Sequence, residues 1–127
     1  MKQYKIVVIC MCILLLLAGG VYAQQKTVRI LAIGNSFSQD AVEQYLHELP
    51  EAEGISTIIG YMFIGGCSLE RHVKNARDNA PAYAYRKIGT DGKKREKGKM
   101  SLETVLADED WDYVSLHQAS PFSGMYE

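Results

Sequence analysis

Beyond residue 26 the chain passes repeatedly from short apolar runs to amphipathic stretches. Thr27 to Ile33 (T-V-R-I-L-A-I) is β-branched and aliphatic, with little alternation after Arg29, the pattern of a strand buried on both faces. Gly34-Asn35 breaks it. From Asp40 to Leu49 the positions Val42, Tyr45, Leu46 and Leu49 recur at helical spacing, and Pro50 is expected to stop the run. A second apolar run, Ile55 to Ile64, ends in Gly65-Gly66. Leu69 to Asn79 reads as a helix with Leu69, Val73 and Ala76 on its inner face. Ala82 to Ile88, then Thr90-Asp91-Gly92, then a polar return to Lys99 reads as a hairpin, and Asp-Gly suits a type I′ turn. Ser101 to Asp108 is a short helix candidate, and Asp112 to His117 (D-Y-V-S-L-H) is a third strand.

The order is β-α-β-α-(hairpin)-α-β. Alternation of this kind predicts an α/β fold in three layers, with a parallel sheet, right-handed crossovers and helices on both faces. Ligands in such sheets sit beyond the carboxyl ends of the strands. Three segments fall there, Gly34 to Ser38, Gly65 to Ser68 and Gln118 to Gly124, and they are expected to meet in space.

The first 23 residues change the picture of location. Lys2 and Lys5 give a positive start, Ile6 to Ala18 is an unbroken apolar run, and Val21-Tyr22-Ala23 is a small-x-small cleavage site. The run is shorter than the roughly 20 residues of a spanning helix. A signal peptide over residues 1–23 is expected, with a periplasmic or extracellular product; an uncleaved tether is the alternative. Residues 24–127 then form one partial domain, with residues 82–100 as a hairpin insertion. Cys10 and Cys12 leave with the signal, so Cys67 is the only thiol of the remainder and no internal disulfide is expected. A net charge of −1 and 47% hydrophobic residues imply neither a nucleic-acid partner nor an acidic substrate. The basic stretch Lys93 to Lys99 reads as a solvated hairpin arm. No repeat or metal-ligand pattern is seen, and no cofactor is expected.

Candidate chemistry gathers at the strand ends. Ser36 follows a buried strand and precedes a helix, which suits a nucleophile beside an anion-stabilising helix start. Ser36-Phe37-Ser38-Gln39 equally fits a capping box in which Ser36 satisfies an orphan N–H. Gly66 could offer a backbone N–H to a substrate or serve only as a turn glycine. Gln118 could donate its amide to a developing oxyanion or merely face solvent. His47 reads as solvated on an exposed helix flank and His72 as part of a surface helix. Strand alternation should turn His117 away from Gln118. None of the three histidines is favoured as a base, and Cys67 reads as a small packed thiol.

These residues resemble a family. Gly34-Asn35-Ser36-Phe37-Ser38 is similar to the first block of the SGNH/GDSL hydrolases, Gly66 in Ile64-Gly65-Gly66-Cys67 to the second-block glycine, and Gln118 in Leu116-His117-Gln118 to the third-block asparagine. The nearest likeness is to an uncharacterised bacterial branch with G-N-S-F-S at the front and a W-D-Y-V strand, here Trp111 to Val114, leading to a glutamine. The resemblance spans nearly all of residues 27–127. It implies a flavodoxin-like three-layer fold, Ser36 as nucleophile, and an oxyanion hole built from the N–H groups of Ser36 and Gly66 with the Gln118 amide. Two departures stand out: Asn35 replaces the usual acidic residue, and Gln118 is longer than asparagine. The family's Asp-x-x-His block, which supplies the acid and base, does not occur in the sequence. The resemblance therefore implies a secreted serine esterase that removes acyl (acetyl) groups from carbohydrate. It also implies that this chain is a C-terminally truncated and inactive portion. A non-catalytic glycan-binding domain on the same fold is the alternative, and a flavodoxin-like nucleotide domain is a weaker third because no phosphate-loop glycines are present.

Overall fold

The computed structural model describes residues 26–124, together with Gln3. The expected signal peptide lies outside the described residues. Five strands form one sheet: β1 (Val28–Gly34), β2 (Thr57–Phe63), β3 (Tyr83–Ile88), β4 (Lys94–Met100) and β5 (Tyr113–Leu116), in the order β4-β3-β2-β1-β5. The sheet is mixed. β1 runs parallel to both β2 and β5, whereas β3 pairs antiparallel with β2 and β4 with β3. The hairpin is thus a wing of the sheet itself, and the sheet is mixed where a parallel one was expected. Among the described residues no helix is long and apolar enough to cross a membrane.

Alternation along β1 sends side chains to two cores. Leu31 and Ile33 pack with Met62, Tyr83, Tyr85 and Val105 on one face, while Ala32 packs with Val42, Ile59, Tyr61 and Ile88 on the other. Helix α3 (Leu69–Arg77) and helix α4 (Leu102–Leu106) cover the first face. The second is covered by α1 (Ser36–Asp40), a π-helical turn (Ala41–Tyr45) and α2 (Glu48–Ala52). The layers are those expected from the sequence, and β1 is buried on both sides as its pattern implies.

Three local expectations need correction. The run from Asp40 to Leu49 is not one helix. The π-turn inserts a residue into the helical phase, so Val42 is buried while Tyr45 and Leu49 face solvent. Pro50 lies in the first turn of α2 rather than ending a helix, a position where its missing N–H costs nothing. In α3 the buried residues are His72 and Asn75, and Leu69, Val73 and Ala76 lie outside. The helix is turned by polar bonding: the Tyr83 hydroxyl meets His72 Nδ1 at 2.8 Å, and burying those groups without a partner would be costly. The hairpin turn is not type I′. Only Gly92 has positive φ (69°), and Gly92 N–H donates to Gly89 O at 2.9 Å. That is a type I turn closed by a glycine bulge.

The hairpin arm Lys93 to Lys99 is exposed as expected, and several of its charges are paired. Glu43, carried inward by the π-turn, bonds both Arg86 and Lys94. Lys87 reaches Asp108 at 2.9 Å and Glu109 at 2.5 Å, and Arg29 reaches Glu109 at 3.2 Å. The Lys87 ammonium bonded to Glu109 holds that carboxyl below its ordinary 4.5. A depressed carboxyl stabilises the fold above its unfolded value and loses that contribution as pH falls through the folded one. Melting temperature is therefore expected to drop below about pH 4.5 and the Lys87→Met variant to show a flatter acid limb; solvent screening limits this pair to about 1 kcal/mol. Unfolding followed by circular dichroism from pH 3 to 7 checks it.

Candidate functional site

β1, β2 and β5 run in the same direction, so their carboxyl ends open on one edge of the sheet. Asn35, the first residue after β1, holds that edge together. It is only 2% exposed. Its Nδ2 donates to Cys67 O at 3.3 Å and to Gln118 O at 3.2 Å, while its Oδ1 accepts from Phe37 N–H at 3.0 Å. The three segments expected to converge are thus joined by one side chain.

This contact set decides how Ser36 is placed. Asn35, not Ser36, is the N-cap of α1, and an asparagine before a helix is a preferred cap. Ser36 is the first helical residue and is exposed, and neither its hydroxyl nor its N–H has a hydrogen-bond partner among the described residues. The capping-box reading of Ser36 is overturned. Ser38, two residues on, is buried and spends its hydroxyl on Asn35 O at 3.2 Å and on Tyr61 Oη at 3.2 Å.

Gly66 has φ of 60°, which a residue with Cβ adopts only with strain, and it is exposed, with no backbone partner for its N–H among the described residues. Gln118 Oε1 accepts from Leu69 N–H at 2.9 Å and from Ala119 N–H at 3.0 Å. Both partners are donors, so the oxygen must be the atom that meets them and the NH2 group is left to point elsewhere. Gln118 lines a cavity of about 660 Å³ together with Phe37, Ser38, Ala41, Leu116 and His117. Ser36 and Gly66 do not line that cavity. The structure therefore brings the three loops together but opens this hollow on the Phe37–Gln118 side.

The histidines depart from expectation. His47 is buried, with Nδ1 2.9 Å from Thr57 Oγ1, because the π-turn rotates it inward. His72 is buried against a stacked Tyr83 ring. His117 does not turn away from Gln118; beyond Leu116 the strand ends, alternation lapses, and both residues line the cavity. Cys67 lies 3.6 Å from His72 Nδ1, which would suit an activated thiol. Burial works against it: it pushes the Cys67 thiol up and the His72 imidazole down, so both stay neutral. With the sulfur fully buried, Cys67 is a packing residue. Among the described residues no group of three or more His, Cys, Asp or Glu side chains is placed to hold a metal ion.

Sequence reasoning missed Asn35. Its position immediately before a helix carried the signal, but the serine beside it carried the same one.

Residues 29–127 match the model of a family described as a domain of unknown function, DUF4886. A DUF4886 family protein from Bacteroides uniformis ATCC 8492, known from a crystal structure, is 71% identical, with a TM-score of 0.76 over 79% of this chain and 39% of that one. The chain therefore spans about two fifths of that protein's length. No curated protein matches it.

Proposed function

The chain belongs to the DUF4886 family, and we propose that it forms the front part of an exported SGNH-type serine esterase acting on acylated carbohydrate. Its fold is then the flavodoxin-like arrangement of those enzymes, with β2-β1-β5 as the parallel half of the sheet. The observation that carries this reading is the Asn35 junction. It joins the three strand-end loops and leaves the hydroxyl of Ser36, the N–H of Gly66 and the amide NH2 of Gln118 unspent at one edge.

In this mechanism Ser36 Oγ attacks the ester carbonyl and a histidine takes its proton. The N–H groups of Ser36 and Gly66, with the Gln118 amide, stabilise the oxyanion of the tetrahedral intermediate. The alcohol leaves and an acyl-enzyme remains, which water cleaves. The acid and base come from polypeptide outside residues 26–124. Acetyl groups on a glycan are the proposed substrate, and residues 1–23 are the proposed signal that delivers the enzyme to periplasm or medium.

A fluorophosphonate probe tests the reading. The full-length protein is expected to take one label, mapped by peptide mass to Ser36. A full-length protein that binds acetylated glycan saturably yet takes no label at Ser36 is a binding domain instead.

A further inference from the structure

We propose that Asn35 is a positioning residue: in this chain its side-chain amide sets the distance between the Ser36 loop and the two loops that carry Gly66 and Gln118. The inference rests on the esterase reading and deepens it. Asn35 is buried, and both of its amide hydrogens and its side-chain oxygen are engaged. One acceptor contact goes to Phe37 N–H, and the two donor contacts go to Cys67 O and Gln118 O. Its own carbonyl accepts from Ser38 N–H at 3.2 Å and from the Tyr61 hydroxyl at 2.7 Å, which fixes the residue from the other side.

Each contact has a consequence for the site. The bond to Phe37 replaces the cap that Ser36 would otherwise supply, and so leaves the Ser36 hydroxyl unspent. Cys67 is held at both ends, its N–H on Ile64 O at 3.3 Å and its carbonyl on Asn35, which brackets Gly66 in its left-handed conformation. The Gln118 carbonyl is held by Asn35 while its side-chain oxygen bonds Leu69 N–H, just after the Gly66 turn. The two donor loops are therefore tied to each other as well as to the nucleophile loop. Oxyanion donors act only when already in place, so a shift of this junction is read in the chemical step rather than in substrate binding.

An aspartate has the same shape and keeps the acceptor for Phe37. Its second oxygen, however, would face the carbonyls of Cys67 and Gln118. Ionised, it repels both; protonated, it donates to one of them. Buried against two carbonyls, this carboxyl is pushed up from its ordinary range. The N35D variant should then improve relative to wild type as pH falls, the reverse of an ordinary carboxylate.

The test uses the full-length protein with p-nitrophenyl acetate, comparing wild type, N35A and N35D from pH 5 to 8. Asn35→Ala is expected to lower kcat by about 10²–10³-fold, the loss typical of a missing oxyanion donor, with KM changed by less than about threefold. N35D is expected to match that loss at pH 8 and to recover at least about tenfold, relative to wild type at the same pH, by pH 5. Its melting temperature relative to wild type should rise over the same interval, which covers the case in which N35A does not fold. An active wild type with an equally active N35A, or an N35D ratio flat with pH in both rate and melting, overturns the positioning role. A wild type that neither labels at Ser36 nor hydrolyses ester overturns the esterase reading, and the positioning role with it.

Discussion

Replacing Gly34 by alanine is expected to destabilise the protein by about 1–3 kcal/mol. The cause is contact rather than backbone freedom, because Gly34 is not among the glycines with positive φ. A Cβ there would lie 2.3 Å from Ser38 Oγ, 3.1 Å from His117 Nδ1 and 3.4 Å from the Tyr61 ring. Ser38 can rotate its hydroxyl away only by giving up Asn35 O and Tyr61 Oη, both buried. Losing a buried hydrogen bond costs about 1 kcal/mol, and overpacking adds to it. Since Ser38 is the obstacle, the double variant G34A/S38A should recover part of the loss, with a coupling of about 0.5–1.5 kcal/mol. Urea midpoints of the four proteins in the cycle measure it. A G34A variant within about 0.5 kcal/mol of wild type would show that the close approach of β1 to the Ser38 helix is not as tight as the distances require.

The glycine ends β1 where three elements meet, and that crowding explains what could be read from the sequence and what could not. β1 and β2 announce themselves because each packs against two layers, which is what unbroken apolar runs serve in a chain of this composition. The helical segments are harder. Val42, Tyr45, Leu46 and Leu49 have a clean period, but a π-turn after Asp40 rephases it, and nothing in the apolar pattern records an inserted residue. In α3 the pattern is inverted outright. Leu69 and Val73 are 37% and 48% exposed, while His72 reaches Tyr83, because a specific hydrogen bond between distant residues outweighs the weak amphipathic signal. The direction of the hairpin strands was legible from Asp91-Gly92, whereas their pairing with β2 was not, since antiparallel addition to a parallel sheet depends on which edge is left open.

The candidate site divides the same way. Strand ends locate Ser36, Gly66 and Gln118, and the meeting of their loops follows from the parallel run of β2, β1 and β5. The chemistry of their meeting lies in a side chain that contacts Phe37, Cys67 and Gln118, at separations no local pattern reveals. Likewise His117 enters the cavity because Gly34 has no side chain to exclude it, a fact about a neighbouring strand. Exposed Tyr113, Val114 and Leu116 on β5 show the same dependence on context: they read as part of a strand, and among the described residues nothing covers them.

Two serines stand in G-N-S-F-S, and on the proposed esterase reading they do opposite work. In the full-length protein, Ser36→Ala is expected to cut ester hydrolysis by on the order of 10⁴–10⁶-fold, as loss of a serine nucleophile does. Stability should change by less than about 0.5 kcal/mol, because Ser36 is exposed and makes no hydrogen bond among the described residues. Ser38→Ala should do the reverse. Its buried hydroxyl bridges Asn35 O and Tyr61 Oη, so removing it is expected to cost about 1 kcal/mol. The rate should stay within about tenfold, because Asn35 keeps its contacts to Phe37, Cys67 and Gln118. Initial rates and urea midpoints on the same preparations separate the two serines. A rate lost with Ser38 and kept without Ser36 would move the nucleophile to the wall of the cavity beside His117. A rate indifferent to both would remove serine chemistry from this edge of the sheet, and leave the Asn35 junction as a structural device alone.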